Sequence, residues 1–190
     1  MGITVSRGAP VLALVLGLAL GGCGAPRTPN TPAQPSSPPA SPSPSATRPA
    51  LSALARQDTA AGAHEFARYW FRTLSYATLT GDVAPITAAS DPACTACQSA
   101  INDITVSYAD GGSMSGGVFT VQSVTTDEFS KSDHPAINVV VDRSPRSSLS
   151  PFGEPRASLP GASFLPCQLL LTRTASGWIV RSVQSPSPLS

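Results

Sequence analysis

Proline placement divides the chain into a part that cannot form a packed core and a part that can. Residues 24–57 contain nine prolines, separated mostly by Ser, Ala and Thr, and no acidic residue. Such a segment buries too little apolar surface to offset the entropy cost of ordering it, so we expect an extended tether. We therefore assign residues 23–57 to a disordered tether, residues 58–184 to one domain and residues 185–190 to a disordered tail.

An apolar run precedes this tether. Residues 11–20 follow the basic Arg7 and lead into Gly21, Gly22 and Cys23. This pattern is typical of an export signal, whereas a membrane-spanning helix needs about 20 apolar residues. The run also resembles the bacterial lipoprotein signal-peptidase site, which implies a signal peptide over residues 1–22 and a lipid on Cys23. We therefore expect an exported protein that is lipid-anchored at the outer face of the cell membrane.

Charge argues against one class of partner. Once Arg7 is removed with the signal peptide, eleven basic residues face eleven acidic ones. The sequence has no basic cluster interleaved with aromatic residues, so we expect no binding of nucleic acid. It also has no phosphate-cradling loop, calcium loop or nucleophile elbow, and we predict no cofactor.

The first half of the domain has helical periodicity. Apolar residues recur at spacings of three and four over residues 59–80, and Gly81 follows where a left-handed residue ends a helix. This stripe predicts a long amphipathic helix, and its members are Ala63, Phe66, Ala67, Trp70, Leu74 and Ala77. We also expect a short helix at 83–89 and a third at 92–108, capped by Asp91 with Pro92 in its first turn.

The second half of the domain has the period of strands. Residues 118–124 and 136–142 are rich in β-branched residues at alternating positions, which favours half-buried strands. Residues 163–172 and 177–183 predict a hairpin joined by residues 173–176. Pro166 cannot donate to a strand ladder, so we expect it at an edge, at a bulge or at the start of its strand. The Pro- and Ser-rich stretch 144–160 is expected to be a long loop.

Three cysteines lie in the domain. Cys94 and Cys97 form a C-x-x-C pair, and an exported protein favours a local disulfide between them over a redox-active pair. A zinc site lacks further ligands, since His64 and His134 are isolated and no second C-x-x-C exists. We expect Cys167 to be a buried free thiol, although pairing with Cys94 or Cys97 stays open.

Three short motifs carry a resemblance to a known family. They are Phe66-Ala-Arg-Tyr-Trp-Phe followed by Gly81-Asp82, then Ser90-Asp-Pro-Ala-Cys-Thr-Ala-Cys97, then Tyr108-Ala-Asp-Gly-Gly112. Over residues 58–184 the sequence resembles an uncharacterised family of actinobacterial lipoproteins with a nuclear-transport-factor-two-like, or cystatin-like, cone. The resemblance implies an α+β fold in which N-terminal helices pack on a curved antiparallel sheet. It supplies no catalytic residues.

Function stays open between two hypotheses for a non-enzymatic protein. We favour an accessory or protein-interaction domain of the cell envelope, and the alternative is a module that binds an apolar ligand or a lipid in the cone. Phe66, Trp70, Tyr108 and Trp178 would line such a pocket, or else belong to the core. Enzymes of this fold need a carboxylate or histidine with a raised pKa in the cavity. The available residues form no recognisable constellation: Asp103, Asp127, Glu128, Asp142, His64 and His134.

Overall fold

The computed structural model describes residues 46–127 and 133–185. The expected signal peptide, the lipidated Cys23, most of the expected tether and the expected tail beyond Ser185 lie outside the described residues, as does Glu128. Ten regular helices and strands follow along the chain: α1 (Ala60–Thr80), α2 (Ala84–Ala88), α3 (Thr95–Tyr108), β1 (Ser113–Gly116), β2 (Phe119–Thr126), β3 (Ala136–Arg143), β4 (Arg146–Leu149), β5 (Pro155–Leu159), β6 (Ala162–Thr174) and β7 (Gly177–Gln184). The helices pack against antiparallel sheets, so the predicted α+β fold is confirmed.

Helix α1 begins and ends as its sequence predicts. The Thr59 hydroxyl accepts a hydrogen bond from the Gly62 N–H at 3.0 Å and caps the helix. Gly81 ends the helix in a left-handed conformation with φ 75°. A Cβ at this position would lie 2.7 Å from the Tyr108 ring, so both the backbone conformation and the available space require glycine.

Helix α3 begins later than its sequence suggests. Our prediction that Asp91 caps a helix starting at Pro92 was wrong, because the first residue of α3 is Thr95. Asp91 is instead held in a turn, where its Oδ1 accepts from the Ala93 N–H and its own N–H donates to the Val180 carbonyl, both at 2.8 Å. The Cys94 sulfur occupies the capping position and accepts from the Cys97 N–H at 3.3 Å.

The strands form two antiparallel sheets. The larger has the order β2-β3-β6-β7, and the smaller has the order β1-β4-β5. The smaller sheet corrects our expectation of a loop at 144–160, since β4 and β5 form a hairpin whose turn is closed by a Gly153 N–H bond to the Ser150 carbonyl. No residue of β4 or β5 is buried, so neither strand alternates between buried and exposed positions, and β4 pairs with the distant β1. Neither this burial pattern nor the long-range pairing of β4 with β1 can be recognised from the local sequence.

Helix α1 packs its aromatic residues on one face of the larger sheet, which we call the inner face. Trp70 and Phe71 are fully buried, and Trp70 meets Phe71 edge to face at 5.1 Å between ring centroids. The inner face is formed by alternate residues of β3, β6 and β7, all of them buried: Ile137, Val139, Val141, Leu165, Cys167, Leu169, Leu171 and Val180. All six residues of the predicted apolar stripe of α1 are buried, so the amphipathic-helix prediction is confirmed.

The packed part of the chain starts before residue 58, where we placed the end of the tether. Ala55 is buried and Leu51 packs against the core. The Trp178 indole N–H donates to the Gln57 carbonyl at 2.9 Å, and the Arg173 guanidinium donates to the Arg56 carbonyl at 3.0 Å. The end of the proline-rich stretch is therefore tied to the β6–β7 hairpin. Among the described residues, no helix combines the length and the apolar character that a membrane crossing requires.

We predict that Ser90→Ala destabilises the domain by about 2 kcal/mol, because the buried indole N–H of Trp70 would lose its partner. In the structure the Trp70 N–H donates to the Ser90 hydroxyl at 2.9 Å. Chemical denaturation measures the change in the free energy of unfolding. Thr87→Ala is the matched control, since it removes an exposed hydroxyl bonded to a carbonyl of its own helix; it should change stability by less than about 0.5 kcal/mol. Equal effects of the two variants would contradict the prediction.

Candidate binding face

The four aromatic residues named as candidate pocket lining take different places in the structure. Phe66, Trp70 and Trp178 belong to the buried core. Tyr108 is half-buried at the end of α3, and its hydroxyl donates to the Thr78 carbonyl at 3.0 Å. Burial raises the pKa of this hydroxyl, opposed by a hydrogen bond to the Met114 backbone. The concavities described below are lined by other residues.

The cysteines are arranged as the sequence favours. Cys94 and Cys97 form a disulfide, with their Cα atoms 5.3 Å apart, and both are buried. Cys167 is a free, buried thiol. Burial raises its pKa, while a hydrogen bond to the Ser185 hydroxyl and the nearby Arg143 lower it. The burial of Cys167 and its raised pKa both oppose formation of a reactive thiolate.

Each candidate acid or base residue on the described part of the chain contacts a different partner residue. Each described member has its own neighbour: Asp103 pairs with Arg146, Asp127 with Gln168, Asp142 with Gln122, His64 with Thr126 and His134 with Thr172. Burial, with a smaller contribution from Arg68, lowers the pKa of His64. Within the described ranges, no three of the His, Cys, Asp and Glu side chains are grouped so that they could hold a metal ion.

Two apolar concavities lie on the surface of the described part of the chain. One is a groove of about 520 Å³ on the larger sheet, lined in part by Val140, Pro166 and Gln168. A second, of about 530 Å³, lies where residues 46–50 meet α1 and β2. Most residues that line the first groove belong to the face of the sheet opposite α1, which we call the outer face, while Val139 and Cys167 line it from the strands' buried side. This face carries the side chains that alternate with the buried residues of β3.

A row of uncharged polar side chains crosses the outer face. Thr125, Asn138, Gln168 and Gln184 come from four different strands and are paired in register: Thr125 opposite Asn138, Asn138 opposite Gln168, and Gln168 opposite Gln184. All four line the groove. We call them the polar row. Their alignment places hydrogen-bonding groups side by side across the sheet.

Phe164 is the one bulky side chain on the described part of the chain with a left-handed backbone, at φ 54°. Phe164 as a whole residue is 74% exposed. The Asp142 carboxylate holds the strained residue, because its Oδ1 accepts the Phe164 N–H at 2.8 Å while its Oδ2 accepts from the Gln122 amide at 2.7 Å. The register of β3 and β6 shifts at this place. A strained backbone thus presents an aromatic ring to solvent, which is an arrangement found at binding sites.

Sequence reasoning missed both the polar row and Phe164. The row depends on the relative register of four strands that are far apart in the chain. The left-handed backbone of Phe164 depends on a register shift that has no local motif. The one available signal was Asn138 and Asp142, which the alternation of β3 assigns to the face opposite Ile137 and Val139.

We predict that Phe164→Gly is more stable than Phe164→Ala by about 1 kcal/mol, because only glycine adopts this backbone without strain. Both variants remove the same exposed ring, so their difference isolates the backbone. Chemical denaturation of the two proteins measures it. If Phe164→Ala were the more stable of the two, the strain assigned to this position would be wrong.

We predict that mass spectrometry of the non-reduced protein finds Cys94 linked to Cys97. Iodoacetamide should alkylate Cys167 only after unfolding, since the thiol is buried and its pKa is raised. Ser115→Cys on the exposed side of strand β1 provides a control thiol that should react in the folded protein. A link between Cys94 and Cys167, or equal alkylation rates for Cys167 and the introduced thiol in the folded state, would contradict the prediction.

Comparison with known proteins identifies the family but gives no activity. A model described as "Family of unknown function (DUF6318)" matches residues 32–150. No curated protein that was compared matches the chain. Similar solved structures include Aln2 from a Streptomyces species, with 10% identity, TM-score 0.42, and coverage of 65% of this chain and 89% of that one.

Two further structures are similar at the same level. The intermembrane space region of the chloroplast protein ARC6 has 13% identity and TM-score 0.44, with coverage of 67% of this chain and 95% of that one. A variant of the NTF2-like protein Rd1NTF2_05 has 14% identity and TM-score 0.36, with coverage of 63% and 95%. We draw no functional argument from likenesses at these TM-scores. The family match spans more than half of the sequence, and the chain therefore belongs to the DUF6318 family, a family of unknown function.

Proposed function

We propose that this protein is an exported lipoprotein whose domain binds another component of the cell envelope without catalysing a reaction. The anchor would be a lipid on Cys23, and the proline-rich residues after it would hold the domain away from the membrane. An apolar run that ends on Leu20-Gly21-Gly22-Cys23 supports the anchor.

The observation that carries the binding role is Phe164. A left-handed backbone costs about 1 kcal/mol or more for such a residue, and an exposed ring adds nothing to the stability of the isolated domain. The Asp142 carboxylate nevertheless fixes this conformation through a hydrogen bond of 2.8 Å. An exposed, preorganised aromatic residue is what an interface uses as an anchor. We therefore assign binding to the outer face.

The alternative, an apolar ligand inside the cone, has less support. The space between α1 and the inner face is occupied by large side chains, and Trp70, Phe71, Ile137 and Val139 are all buried there. A ligand at this place would have to displace core residues. The separate engagement of the candidate acids and bases likewise favours a binding role over a catalytic one.

We predict that Cys23→Ala moves the protein from the membrane fraction to the soluble fraction and abolishes labelling by an alkyne fatty acid. Cys167→Ala is the matched control, because it removes a cysteine outside the leader and should leave both properties unchanged. Cell fractionation and in-gel fluorescence measure the two effects. A Cys23→Ala protein that is still labelled and membrane-bound would overturn the anchor.

A photocrosslinking amino acid tests the binding face in intact cells. At Ser123, which lines the outer groove, it should give a discrete crosslinked product. At Asn102, which is exposed on α3, it should give none. Crosslinking from Asn102 alone, or from neither position, would contradict the proposal that the outer face binds a component of the cell envelope.

A further inference from the structure

We propose that the groove on the outer face binds an uncharged glycan through the polar row. This inference rests on the proposed function in using the same face, and it adds the chemical class of the ligand. The lining of the groove carries no charge. All ten lining residues are uncharged: Ser123, Thr125, Asn138, Val139, Val140, Pro166, Cys167, Gln168, Gln184 and Ser185. A neutral ligand matches such a lining, since an anionic group would lose its hydration without gaining an opposite charge, and the nearby Asp127 carboxylate already accepts from Gln168.

The side-chain amides of the groove offer hydrogen-bond donors and acceptors side by side. The Gln168 Nε2 donates to the Asn138 Oδ1 at 2.9 Å and to the Asp127 Oδ2 at 3.3 Å. This contact orients both amides, and it leaves the Asn138 Nδ2 donor and the Gln168 Oε1 acceptor without a partner among residues 46–127 and 133–185. A side-chain amide offers a donor and an acceptor together. Neighbouring hydroxyl groups on a sugar, each a donor and an acceptor, complement that pair.

The open part of strand β6 favours a glycan over an extended peptide. Strand β7 pairs with β6 only as far as Gln168, which lies opposite Gln184. The residues of β6 before Gln168 are therefore the place where an added peptide strand would pair. Pro166 has no N–H to offer there, and the Phe164 N–H is already donated to Asp142. Neither residue can therefore donate a backbone hydrogen bond to an added strand, and pairing at this edge is disfavoured. Side-chain amides rather than backbone groups are the available partners.

Phe164 adds an aromatic surface close in the chain to the groove. It precedes the lining residue Pro166 by two residues, and its exposed side chain offers an apolar surface to the C–H groups of a sugar. The aliphatic side chains of Val140 and Pro166 line the groove itself. Hydrogen bonds from the polar row and an apolar platform together match the two kinds of surface on a sugar ring.

The test titrates the full-length Cys23→Ala chain with uncharged oligosaccharides while side-chain amide signals are followed by NMR. The probes are chitotetraose, maltotetraose and galactotetraose, each to about 10 mM, which would saturate a site with a Kd of about 1 mM. At least one should shift the Asn138, Gln168 and Gln184 amide signals in a saturable manner. No saturable shift with any of the three would overturn the proposal.

Matched variants separate a specific site from a structural effect. Asn138→Asp keeps the oxygen that Gln168 bonds but replaces the free donor with a charged oxygen, so the Kd should rise about tenfold. Asn102→Asp makes the same chemical change on α3, away from the groove, and should leave the Kd within about twofold. Phe164→Gly should also weaken binding while the domain stays folded. An unchanged Kd in Asn138→Asp would overturn the proposal.

Two controls identify the ligand class. An uncharged Gly-Ser peptide should shift none of these signals, and heparin, an anionic polysaccharide, should shift none either. Saturable shifts with the peptide, and not with the oligosaccharides, would overturn the glycan assignment. If crosslinking from Ser123 persists in cells while all three oligosaccharides fail, only the glycan inference fails. If crosslinking is absent while an oligosaccharide binds, the accessory role in the envelope fails instead.

Discussion

The packing of Trp70 and Phe71 against the larger sheet is the interaction on which the rest of the structure depends. Both rings are fully buried, and each aromatic side chain contributes a large apolar area to the core. The Trp70 N–H is satisfied by Ser90, which lies beside β7 through its bridge to Val180. A single residue of α1 thus ties the helix, the turn before α3 and the edge of the sheet together.

This packing also decides where function can lie. A helix that fills the inner face with large rings leaves the opposite face of the same sheet as the side available to a ligand. On that face the chain has features that cost free energy and that the core does not need. The Phe164 backbone is strained, a carboxylate is used to hold it, and its ring meets solvent.

Much of the fold could be predicted from the sequence, because its signals are local. The stripe of α1, with Gly81 at its end, predicted the helix, and alternation over residues 136–142 predicted β3. The small sheet was missed because β4 lacks alternation and its partner β1 lies about 30 residues earlier in the chain. The start of α3 was misplaced because Asp91 bonds to Val180 on β7, a contact that local propensity does not encode.

The candidate binding face is the part of the structure that the sequence predicts least well. The spacing of Cys94 and Cys97 predicted their disulfide, whereas the polar row exists only once four strands take one register. The same holds for Phe164, whose conformation follows from the shift between β3 and β6. Local patterns indicate which residues are buried, and long-range pairing determines which exposed residues meet.

The central claim is that the space between α1 and the sheet is filled, so that binding belongs to the outer face. Crystals of the domain under xenon pressure test this most directly, because xenon enters apolar cavities that are empty. The account predicts no xenon between Trp70 and the inner-face residues Val139 and Leu169. A well-occupied xenon site there would show an internal cavity and would contradict the account.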